Sequence, residues 1–277
     1  MAYIVDDFFG EVIREAERLR KARGAVVDEK YSPDQPRDDQ GRFSSGGGGG
    51  SGYREASTIT EAEEVAQQWV KDGGAVDYGQ IDVGLANEAN KELAAVYDEF
   101  PGLSKLTGIT AKPFEDAMAD ADAAYISNRA GTVGHLMLNS TNLTSPEALS
   151  RHLKEASKTD ELLRSLDADD LETLSAGVGQ DYVEYMKYER PLVGTGVDQM
   201  VRHEMGHHFD AAIMSSAPNR DERAELVMRM DQYKYGISHY AGSQSDEYIA
   251  ESFAAYKFGV GSIDPRMRDF FDQHRSK

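Results

Sequence analysis

One stretch near the start of the chain, YSPDQPRDDQGRFSSGGGGGSG at residues 31–52, dictates where a folded core can form. Its prolines, its charges and its five consecutive glycines carry too little apolar surface to offset the entropy lost on ordering. It reads as a flexible tether, with the chain on either side of it free to do different work. The sequence therefore divides into an N-terminal amphipathic helix over 1–24, a Pro/Gly/Ser linker over 25–55 and a folded domain over 56–277.

The N-terminal segment places Val5, Phe8, Phe9, Val12, Ile13 and Leu19 at roughly helical spacing and gathers Arg14, Arg18, Arg20, Lys21 and Arg23 in its second half. That is an apolar face in need of a dock, with cations toward the end of the helix that favours them. Its own domain, a partner helix and a membrane surface are all open as docks.

Charge bears on partners. The chain carries 30 Lys and Arg against 49 Asp and Glu, a net of −19. Such a field repels phosphate backbones, so no nucleic-acid ligand is expected, and it favours cationic peptides over acidic ones. Cysteine is absent, so no disulfide framework exists and any metal must be held by His, Asp or Glu. Neither a signal peptide nor a run of apolar residues long enough to span a bilayer is evident. A soluble protein, cytoplasmic when synthesised, is the expectation.

From residue 56 the periodicity is mostly helical. Residues 58–70, TITEAEEVAQQWV, carry a Thr-x-x-Glu capping pattern at Thr60 and Glu63, ahead of Val65, Trp69 and Val70. VGLANEANKELAAVYDEF, residues 83–100, predicts a second helix stopped by Pro101 and Gly102. GITAKPF at 108–114 and GTVGHLMLNS at 131–140 are the strand candidates. SPEALSRHLKEAS, DELLRSL and LETLSAGVGQDYVEYM return to helix. The fold class expected is α+β, mainly helical with a small mixed sheet.

Chemistry concentrates at VRHEMGHHFD, residues 201–210, where three of the seven histidines crowd around one glutamate. On a helix His203 and His207, four apart, project from the same face and can share one tetrahedral zinc ion (Zn2+). Glu204 lies about 100° further round the axis, within reach of a metal-bound water without ligating the metal. That is the arrangement of a metal-dependent hydrolase. Thr195 and Asp198 read as the cap of this helix, with Val197, Val201, Met205 and Phe209 as its apolar anchorage. The alternative is a polar face of an ordinary helix.

A third ligand is available downstream. In SHYAGSQSDEYIAESFAAYKFG, residues 238–259, a Gly/Ser loop precedes a helix capped by Ser243 or Ser245, with Ile249, Phe253 and Ala254 buried. Glu247 and Glu251, four apart, share a face. Glu247 is placed to complete the metal shell, and Glu251, one turn on, to accept the N–H of a ligating imidazole. Tyr240 can reach the cleft and hydrogen-bond a developing oxyanion. For both glutamates the alternative is a solvated acidic face.

Taken together, His203-Glu204-Met205-Gly206-His207, then Tyr240-Ala241, Glu247 and Ala250-Glu251-Ser252-Phe253-Ala254, resemble the gluzincin metallopeptidases. They are similar in particular to the catalytic domain of anthrax lethal factor and its relatives, many found in phage and bacterial toxin proteins. The resemblance covers residues 195–258. It implies a zincin-like zinc metallopeptidase domain with His203, His207 and Glu247 as zinc ligands. By the same likeness Glu204 is the general base, Tyr240 the transition-state hydrogen-bond donor and Glu251 the residue that orients a ligand. Upstream, GHLMLNS would be the edge strand that pairs with a peptide or protein substrate. Asp210 and Ile213 stand where metzincins continue their histidine pattern, so that pattern is absent. His208 and His239 are extra, and His135 reads as a strand residue. SPDQPRDDQGRF resembles linkers of tailed-phage head and portal-associated proteins. The competing reading is thus a virion-associated adaptor that docks on a phage structural protein through residues 1–24.

Overall fold

The structure, a computed structural model, describes residues 53–115, 121, 123–127, 134–151, 196–238, 240–259 and 262–276. The N-terminal helix, the glycine tether, Thr195, His239 and the helices expected beyond residue 151 and before 196 lie outside the described residues.

The chain enters α1, Ile59–Ala66, through Thr58, whose hydroxyl accepts the Glu61 N–H while the Glu61 carboxylate accepts the Ser57 N–H. This is a capping box two residues before the expected Thr60 and Glu63. Glu63 is used elsewhere, accepting the Tyr78 N–H at 2.9 Å. A short 3-10 turn leads into β1, Val70–Asp77. Helix α2, Val83–Glu99, is capped by the Asp82 carboxylate and ends before Pro101, as its sequence predicts.

Strands β2, Leu106–Lys112, β3, Ala123–Ile126, and β4, His135–Asn139, complete a mixed sheet in the order β1-β2-β4-β3. The first two pairings are parallel, and β3 runs antiparallel to β4. The α+β class and the two expected strands are therefore present. Two strands are additions. Strand β1 is largely exposed and contains Gly73 and Gly74, so it lacks the apolar alternation that announces a strand. Strand β3 has only four residues. Its presence corrects the edge assignment: β4, the core of GHLMLNS, lies between β2 and β3, and β3 is the edge.

Helix α3, Val197–Phe209, carries the His-Glu-x-x-His segment and runs on into a π-helical turn, Asp210–Met214. Val197, Val201, Met205 and Phe209 are buried as expected. The cap differs: Gly196 is the N-cap, and the Asp198 carboxylate accepts the N–H of Gln199. Helices α4, Arg220–Met228, and α5, Met230–Ile237, lead to α6, Ser245–Phe258, and α7, Pro265–His274. The N-cap of α6 is Gln244, without a side-chain cap; Ser243 instead donates to the Tyr240 carbonyl. Apolar side chains from Ala56 to Phe271 form one contiguous core, in which Phe100, Phe209, Phe253 and Phe271 meet ring to ring.

Helices α3 and α6 approach closely because Gly206 faces Ala250. A Cβ at 206 would meet the Ala250 Cα at 2.7 Å and its carbonyl oxygen at 3.0 Å, both backbone atoms. The glycine inside His-Glu-Met-Gly-His thus sets the spacing of the two helices that bear the site. On another face of α3, the fully buried Arg202 meets Glu92 at 3.2 Å and Glu99 at 2.5 Å, both on α2, and lies 4.5 Å from the Phe253 ring centre.

Candidate metal centre

Across the Gly206–Ala250 contact the two helices bring three ligand-type side chains together. His203 Nε2 lies 3.2 Å and His207 Nε2 3.4 Å from the same Glu247 oxygen. The three ligand atoms all fall within 4.8 Å of one another, the one such group of His, Asp and Glu among the described residues. Tetrahedral zinc with bonds of about 2.0–2.2 Å sets neighbouring ligand atoms about 3.3 Å apart, so the donor set has the spacing such an ion requires.

The protons support the same fit. His203 Nδ1 lies 2.8 Å from Glu251, which accepts only, so Nδ1 carries the hydrogen. In the neutral ring Nε2 then presents a lone pair toward the Glu247 oxygen. That oxygen is buried and has no hydrogen-bond partner in good geometry, despite its two short imidazole distances. Lone pairs facing lone pairs need a cation or an extra proton between them. Burial pulls the His203 pKa down, but Glu247 and Glu251 outweigh it and hold it well above the ordinary value. Burial alone would raise the Glu247 pKa, and the two imidazoles instead drive it far below the carboxylate range.

Glu251 is itself held. Its second oxygen accepts the Ser238 hydroxyl at 2.7 Å, and Ser238 in turn accepts the Ala241 N–H at 2.9 Å. Burial raises the Glu204 pKa, partly offset by His203 and His207. The Tyr240 ring centre is 5.7 Å from that of His203, and burial, reinforced by Glu247 and Glu204, keeps its phenol protonated. All six residues expected from sequence are therefore brought to one place.

The departures also find positions. Asp210 is bound by Arg223 through two contacts of 2.5 and 2.6 Å and takes no part in the donor set, while Ile213 is buried. His208 is buried between Tyr125 and the Ser104 carbonyl rather than at the surface. His135 sits on β4, bonded to Thr110. Ser238, Tyr125 and Arg202 went unread in the sequence. Only Arg202 left a signal, standing three and seven residues before the apolar Met205 and Phe209, on a face that should have been apolar.

The site opens into a cleft of about 1030 Å³ walled by Ala123, Ala124 and Tyr125 of β3 and by Arg220 and Arg223 of α4. Comparison with known protein families, with curated proteins and with solved structures gives no significant match to this chain. Among the described residues, no helix is long and apolar enough to cross a membrane.

Proposed function

We propose that this chain is a zinc-dependent metalloendopeptidase. The observation that carries the reading is the convergence of ligand-type atoms of His203, His207 and Glu247 beside a buried carboxylate, Glu204, that is not part of the set. A zinc ion held by those three residues would supply Lewis acidity to a water molecule and to the scissile carbonyl. Glu204, its pKa raised by burial, accepts the proton of the attacking water and delivers it to the leaving amine. Tyr240, kept protonated, donates its hydroxyl hydrogen to the developing oxyanion. Glu251 fixes the His203 tautomer, and Ser238 fixes Glu251. An extended peptide would lie along the cleft with its backbone against β3, an edge strand of the sheet among the described residues.

The test is metal analysis and peptide hydrolysis on the purified protein. The wild type is expected to hold about one zinc per chain and His203→Ala to hold none. Glu204→Gln is expected to keep the metal and lose at least about a hundredfold in turnover of mixed peptides. Equal turnover by wild type and Glu204→Gln would remove the proposal.

A further inference from the structure

Strand β3 does more than close the sheet. From its middle, Tyr125 donates its hydroxyl to His208 Nδ1 at 2.9 Å. The other ring nitrogen, Nε2, lies 2.6 Å from the Ser104 carbonyl, an acceptor only, so it carries the hydrogen and Nδ1 is the acceptor. His208 follows His207 on α3, and the Tyr125 ring stacks on the His207 ring with 6.4 Å between centres and 14° between planes. Gly134 lies against the same pair: a Cβ there would meet the His208 ring at 2.8 Å and the Tyr125 hydroxyl at 3.0 Å. Tyr125 and Glu204 line the same cleft. One residue of the edge strand thus contacts the helix at 207 and 208, beside Glu204.

We propose that Tyr125 is a positioning residue, latching the edge strand of the cleft to the metal-binding helix through His208 and so holding Glu204 in place. The latch is a feature of the fold. Only the consequence for Glu204 rests on the metallopeptidase reading. Removing the phenol hydroxyl frees the strand from the helix, the turn that bears Glu204 loses its brace, and a base misplaced by a fraction of an ångström loses rate.

The experiment combines amide hydrogen exchange with steady-state kinetics on the full chain. In Tyr125→Phe, exchange at residues 124–126 is expected to rise about tenfold or more while that of Met205 in the buried part of α3 stays unchanged. Zinc content is expected to be retained, and kcat to fall about tenfold with KM within about twofold. His208→Asn keeps an acceptor near the Nδ1 position and is expected to retain more protection at 124–126 than His208→Leu, which is expected to match Tyr125→Phe. Wild-type exchange in Tyr125→Phe overturns the latch, and a loss carried by KM alone overturns its action on Glu204. If the wild type hydrolyses no peptide, the metallopeptidase reading and the role given to Glu204 fail together, while exchange still decides the latch.

Discussion

Helix α3 presents two buried charged clusters, and they are balanced differently. Around Arg202 the charges balance, although its buried Nε has no hydrogen-bond partner: the guanidinium meets Glu92 and Glu99, and Arg275 reaches Glu99 from the surface at 3.1 Å. Two cations face two carboxylates. Around His203 and His207 the carboxylates face imidazoles instead, and among the described residues no lysine or arginine pairs with Glu204 or Glu247. A buried cluster with balanced charge holds helices together, whereas one of converging carboxylate and imidazole groups is the candidate place for an external cation.

The largest expected effect tests the first cluster. Arg202→Leu takes the ion-pair partner from buried Glu92 and one of two cations from Glu99, and should cost about 3–5 kcal/mol in denaturant unfolding. His207→Leu, which leaves Glu247 with His203 beside it, should cost the metal-free protein less, about 1 kcal/mol. Equal losses would break the contrast.

Next comes pH. Burial raises the Glu92 pKa to about 7 from 4.5, against the pull of Arg202 and Lys257. Glu92 is the group to hold the proton because Glu99 has a second cation. Between pH 4.5 and 7 the unfolded chain releases this proton and the folded chain keeps it. The contribution to stability is therefore full below pH 4.5 and is lost as pH rises through 7. On the order of 3 kcal/mol should disappear from wild type relative to Glu92→Gln over that window. A pH-independent difference between the two proteins would show that Glu92 is ionised throughout.

The smallest effect sharpens the second cluster. Ser238→Ala removes one hydrogen bond from Glu251 and the acceptor of the Ala241 N–H, and should weaken zinc binding about tenfold in a competition titration while costing about 1 kcal/mol of metal-free stability. Unchanged affinity would mean that Glu251 needs no help in orienting His203.

How much of this was legible in advance differs by residue. His203, Glu204 and His207 lie within one helical turn and a half, so their common placement follows from local geometry. Glu247 and Glu251 were legible as a pair on one face, and their meeting with the histidines was expected from the ligand types and the resemblance, since local geometry alone does not bring two helices together. Ser238 and Tyr125 were not legible at all, since a serine in a loop and a tyrosine in a four-residue strand look like many others. The caps of α1, α3 and α6 moved by a residue or two, the ordinary scatter where several short polar residues compete for the same orphan N–H groups.

By itself the sequence determined α2, the helical character of α1, α3 and α6, the acidic charge and the four-residue spacing of His203 with His207 and of Glu247 with Glu251, because periodicity and charge are properties of neighbouring residues. Only the tertiary structure decided that Gly206 lets α6 come close enough for Glu247 to reach both imidazoles, that β3 rather than β4 borders the cleft, and that Arg202 is buried with its partners. Those are contacts between segments far apart in the chain. Their register is chosen by packing, where a single Cβ or one strand pairing outweighs any local preference.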